Sequence, residues 1–68
     1  MPIMWIEQIF QAKTAKKGNV VRRSVADVIR FASIDALKAA VKERRFHLFR
    51  TGEQFVIVCN EGEIHLVA

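Results

Sequence analysis

The sequence predicts an α+β fold: helices packed on an antiparallel sheet of three strands, with material for a fourth. Three observations lead there. The last third of the chain alternates apolar, strand-like runs with glycine-centred gaps. The middle third carries two serine-capped segments with helical periodicity. At 51% hydrophobic residues and without a low-complexity tract, the chain is able to build a core.

In the last third, Phe46-His47-Leu48-Phe49-Arg50, Phe55-Val56-Ile57-Val58-Cys59 and Ile64-His65-Leu66-Val67 are separated by Thr51-Gly52-Glu53-Gln54 and Asn60-Glu61-Gly62-Glu63. Such spacing is the signal for a three-stranded C-terminal meander. With Gly52-Glu53 and Glu61-Gly62 as two-residue turns, Leu48 lies opposite Ile57, and Ile57 opposite Leu66. Side chains alternate across a sheet, so Phe46, Leu48, Arg50, Phe55, Ile57, Cys59, Ile64 and Leu66 share the core side. His47, Phe49, Val56, Val58, Asn60, Glu63, His65 and Val67 share the other, mixed side. A central strand apolar on both sides calls for some cover over that second face, from the chain, a second subunit or a ligand.

Before the meander, Trp5, Ile6, Ile9 and Phe10 predict an amphipathic helix over about residues 4–17, ended by Gly18 in a left-handed stop. A strand folded back on Val20-Val21-Arg22-Arg23 is the competing reading. Those four residues are themselves short and partly β-branched, suited to one edge of the sheet. Ser24, with Asp27 three residues on, caps a short helix that places Val25, Val28, Ile29 and Ala32 on one face. Ser33 caps a second, with Ile34, Leu37, Ala40 and Val41 as its apolar stripe and a run to about Arg45.

At 68 residues the chain corresponds to one domain, residues 1–68, near the lower size limit for a self-sufficient core. The single Cys excludes an intrachain disulfide, and no signal peptide or long apolar run is present, so a cytoplasmic home without membrane contact is expected. A formal charge of +4 permits phosphate-rich partners without requiring them.

Chemistry-bearing constellations are sparse. His47 and His65 fall in one row of the mixed face, but two strand spacings, ~9.5–10 Å, separate their backbones, and Cys59 points the other way. Zinc needs its ligands within ~2.0–2.3 Å of one ion, so no metal or other cofactor is expected. Cys59 sits among apolar residues, where a thiol is inert, and Glu63 beside His65 is an ordinary surface pair. Without a nucleophile, a phosphate-cradling loop or an evident small-molecule substrate, the chain reads as a non-enzyme.

The remaining features are cationic and aromatic. Arg22, Arg23, Lys42, Arg44 and Arg45 are candidates for phosphate contact, and Arg22-Arg23 is the pair that strand pairing and capping leave unexplained. Phe49, His47 and His65 are candidates for contact with unpaired bases. Single-stranded RNA or DNA is therefore the leading ligand class. The alternative is a protein partner or a homodimer meeting Phe49, Val56, Val58 and Val67.

Two resemblances accompany this reading. Val20-Val21-Arg22-Arg23-Ser24-Val25 with Phe46-His47-Leu48 and Cys59-Asn60 resembles a group of short bacterial proteins of unknown function, across most of the chain. Some carry the label phosphoribosylanthranilate isomerase, an eight-stranded barrel of ~200 residues or more that this length excludes. Over Leu37 to Cys59 the chain is also similar to HicA-type mRNA-interferase toxins, in which a helix leads into a Phe-x-x-x-Arg hairpin, here Phe46 to Arg50. That family's Gly before the Phe is Arg45 here, and its Ser-His after the hairpin glycine is Glu53-Gln54. The resemblance thus implies RNA-binding ancestry without the catalytic histidine.

Overall fold

The computed structural model describes residues 2–68, with elements in the order α1 (Pro2–Gln11), α2 (Lys13–Lys16), β1 (Val20–Ser24), α3 (Val25–Phe31), α4 (Ile34–Glu43), β2 (His47–Thr51) and β3 (Gln54–Val58). One antiparallel sheet has the order β1-β3-β2. The α+β class and three-stranded sheet follow the expectation, as does the helical reading of the N-terminal segment.

That segment is two helices, not one. Ala12 is extended, at φ −61° and ψ 145°, and separates α1 from α2. Spacing explains the break. A continuous helix would carry the face of Ile6 and Ile9 on to Lys13 and Lys16; the break instead buries Ala15 and leaves those lysines in water. Gly18 then ends α2 at φ 77°, with the Gly18 amide bonded to the Ala15 carbonyl and the Asn19 amide to that of Thr14. These two bonds are the Schellman pattern the glycine predicts.

Both predicted serine caps form. Ser24 Oγ accepts from the Asp27 amide at 3.1 Å, and Ser33 Oγ accepts from the Ala36 amide at 3.0 Å. Val25 and Val28 of α3 and Leu37 and Val41 of α4 are buried, but Ile29 is exposed. A two-turn helix lying against β1 covers too narrow a stripe to include it. Helix α4 closes on Arg45 at φ 60°, with the Phe46 amide bonded to the Val41 carbonyl and the Arg45 amide to that of Lys42. The helix end therefore uses a left-handed arginine where glycine is the residue without a steric cost.

The hairpin has the expected register: Leu48 pairs with Ile57, and Thr51 with Gln54 around a Gly52-Glu53 turn with Gly52 at φ 57°. The second hairpin does not form. Ile64–Val67 adopts no strand, and the other side of β3 is taken by β1, with Val21 opposite Ile57 and Arg23 opposite Phe55. Local polar geometry turns the chain away after β3. The Asn60 side chain accepts from the Gly62 amide at 2.9 Å and donates to the Gly18 carbonyl at 3.0 Å. Five paired residues of β1, tied to helices that cover the same face, displace the four-residue competitor.

The helices pack on the inner sheet face. Ile9, Ala15, Val21, Val25, Val28, Leu37, Val41, Phe55, Ile57 and Cys59 form the core, edged by Trp5, Phe10, Ile34, Phe46 and Leu48. No helix of the described residues is long and apolar enough to cross a membrane.

Candidate nucleic-acid interface

Pairing on both sides of β3 builds a grid on the outer sheet face. Its first row is Val20, Val58 and His47, its second Arg22, Val56 and Phe49, and its third Ser24, Gln54 and Thr51. The helices lie on the opposite side, so nothing from them covers this grid. Val56 and Val58 are half-buried between their neighbours, whereas Phe49 keeps 43% of its surface and Val20 44%. The middle row thus sets a guanidinium and an aromatic ring on either side of a valine, about two strand spacings, ~10 Å, apart.

Beside this face, across β2, lies a groove of about 600 Å³ between α4 and the hairpin. Ile34, Val41, Phe46, Leu48 and Phe55 make its floor, with Lys38, Lys42 and Arg50 at its rim and His47 and Phe49 shared with the sheet face. None of the described residues lining it is acidic. Lys38 and Lys42 are one helical turn apart on α4 and so project side by side.

The predicted site residues separate into those this geometry gathers and those it does not. Arg22, His47 and Phe49 share the outer face, and Lys42 stands at the groove. Arg23 belongs to the inner-face row with Phe55 and Arg50, and its Nη1 donates to the Arg22 carbonyl at 2.7 Å. Adjacent residues of a strand point to opposite sides, so Arg22 and Arg23 do not act as a pair. Arg44 serves the helix packing. It donates to both Glu7 carboxylate oxygens at 3.2 Å and stacks 4.2 Å from the Phe10 ring centroid. Arg45 is exposed at the helix end, its position set by its left-handed backbone.

His65 lies off the face. With residues 64–67 outside the sheet, it is exposed and sits 3.3 Å from Glu63 Oε2, the surface pair its spacing suggests. Val67, expected on the same face, is 94% exposed in that segment. His47 instead meets the backbone, its Nε2 2.6 Å from the Gly62 carbonyl oxygen.

Lys38 and Arg50 were not among the expected contacts. The signal was present in the i, i+4 spacing of Lys38 and Lys42 and in the alternation that sets Arg50 beside Leu48. Only the approach of α4 to β2 shows that the three cations border one groove.

Among the described residues no group of three or more His, Cys, Asp or Glu is placed to hold a metal ion. Cys59 is 2% exposed, and burial pushes its thiol pKa up, the opposite of what a nucleophile needs. Comparison with family models, with curated proteins and with solved structures gave no match.

Proposed function

We propose that this chain is a small non-enzymatic binding module for single-stranded nucleic acid, RNA in the first place. The observation that supports it is the row Arg22–Val56–Phe49 on a sheet face that no helix covers, bordering a groove with three cations and no acid. Every base has a π-face, so a half-exposed Phe49 can stack one, and the Arg22 guanidinium another. Gln54 and Thr51 offer donors and acceptors in the adjoining row. Lys38, Lys42 and Arg50 attract the backbone as it crosses β2.

The test is an amide-resolved NMR titration with short single-stranded RNA at low and near-physiological salt. Shifts centred on Arg22, His47, Val56, Phe49 and Arg50 that weaken steeply with salt support the reading. Amides that stay still at both salt concentrations overturn it.

The half-exposed apolar positions Val20 and Phe49 also favour a second reading, a protein-interaction or homodimer module using Phe49, Val56 and Val58. Concentration-dependent mass abolished by Phe49→Glu in a folded protein is its expected signature.

A further inference from the structure

The core is closed at one end of the inner sheet face and open at the other. Along the row Val21–Ile57–Leu48, Val21 and Ile57 are buried, whereas Leu48 on the edge strand is only half-buried, as are Ile34 and Phe46. The groove of about 600 Å³ beside β2 lies over these three side chains. Its volume falls within the ~300–1,000 Å³ of small-molecule sites. The chain's own C-terminal segment does not fill it: Gly62 is held at His47 and Ile64 lines the groove, and the space remains. Nucleic-acid binding uses the cations of the rim and leaves this hydrocarbon floor without a role.

We propose that the groove binds one aliphatic carboxylate, an unesterified medium-chain fatty acid, with its chain on the floor and its carboxylate at the rim. The floor selects the body of the ligand. Ile34, Val41, Phe46, Leu48 and Phe55 offer no polar side-chain atom. A sugar or base edge laid on them would lose its hydrogen bonds to water without replacement, and a hydrocarbon chain has none to lose. Length agrees: from Ile34 to Lys42 the groove follows α4 for ~12 Å, a span for a medium chain held singly.

The rim selects the head group. Lys38, Lys42 and Arg50 are exposed, and none has a carboxylate at ion-pair distance among the described residues, whose pairs are Arg44 with Glu7 and His65 with Glu63. Arg50 is the best placed of the three. Its Nε donates to the Gly52 carbonyl at 3.2 Å, while its two terminal nitrogens meet no protein acceptor among the described residues. A guanidinium steadied in this way presents the paired donors that a carboxylate accepts. Arg50 also shares the inner side of β2 with Leu48, two residues away, so head and floor adjoin. Lys38 and Lys42 add positive charge from α4. This proposal is independent of nucleic-acid binding, and its test contains none.

The experiment is a methyl- and amide-resolved NMR titration of the full chain with sodium dodecanoate below its micelle concentration. Acetate and dodecyltrimethylammonium are titrated beside it, the first lacking the chain and the second reversing the charge. Saturable shifts on the Ile34 and Leu48 methyls and on Arg50 are expected, with both controls at least ~10-fold weaker. Arg50→Gln is expected to raise the Kd for dodecanoate at least ~10-fold through the loss of a charge-assisted contact. Lys16→Gln makes the same charge change on α2, outside the groove, and should leave the Kd unaltered. An unchanged thermal midpoint checks that each variant folds, and Lys38→Gln/Lys42→Gln tests the α4 side of the rim in the same way. Shifts that do not saturate, or that centre on the exposed Met4, Ile29 or Leu66, would overturn the proposal. So would equal binding of dodecyltrimethylammonium, equal effects of Arg50→Gln and Lys16→Gln, or a response confined to phosphatidylglycerol vesicles.

Discussion

The two faces of one sheet carry similar residue types and lead different lives. On the inner face Val21, Ile57 and Leu48 make a row beneath the helices, with Ile57 wholly buried. One residue along, Arg22, Val56 and Phe49 make the matching outer row, half open to water. Strand β3 is apolar on both sides, yet helices cover only one. Strand composition alone therefore does not measure cover. Cover depends on where the connections put the helices, and here α1 to α4 are all on one side. What remains apolar on the other side is surface kept available.

The contrast can be broken most forcefully from the inside. Ile57→Ala should destabilise the fold by about 2–5 kcal/mol, the usual cost of emptying a fully buried aliphatic site. Val56→Ala, its immediate neighbour on the other face, should cost markedly less in the same urea titration. Equal losses would mean that the outer face is covered in solution.

Binding should show the reverse ranking. Phe49→Ala is expected to leave the unfolding midpoint nearly unchanged while weakening single-stranded RNA by about 1–3 kcal/mol, the worth of one stacked base. Fluorescence anisotropy with an end-labelled oligonucleotide measures it, and unaltered affinity would remove the ring from the interface. The next contrast is between adjacent arginines. Arg22→Ala should reduce the slope of log affinity against log salt by about one, whereas Arg23→Ala, on the inner row, should leave it alone. Equal effects would show that the two side chains reach the same phosphates.

The smallest effect concerns the end of α4. Arg45 at φ 60° takes a conformation that glycine adopts freely. Arg45→Gly is expected to stabilise the protein by about 0.5–1 kcal/mol, read from chemical denaturation, after the greater freedom of glycine in the unfolded chain is offset. A loss of stability would show that the arginine side chain contributes more than its backbone costs.

Where local chemistry decided the structure, the sequence was legible. Ser24, Ser33, Gly18 and Gly52 marked two caps, a helix stop and a hairpin turn, and the pairing of Leu48 with Ile57 followed from the hairpin. What failed was a competition between distant partners. Ile64–Val67 and Val20–Ser24 both suit the free side of β3, and the choice depends on helices that return β1 to it and on Asn60 turning the chain away. The same limit applied to the site. Phe49, His47 and Arg22 were readable as candidates, but Arg23 pointed inward with its strand's alternation, Arg44 was drawn to Glu7 across 37 residues, and His65 went with the lost strand. The Lys38, Lys42 and Arg50 groove exists only once α4 lies beside β2, a tertiary fact without a local signature.

The burial of Cys59 has a practical side. The chain carries one sulfhydryl, and it is sealed beneath the sheet with its ionisation suppressed. A cysteine placed at the exposed Thr51 could take a fluorescent or spin label while the native thiol stays silent. In the unmodified protein, the rate at which a thiol reagent reaches Cys59 would count the moments when the molecule opens.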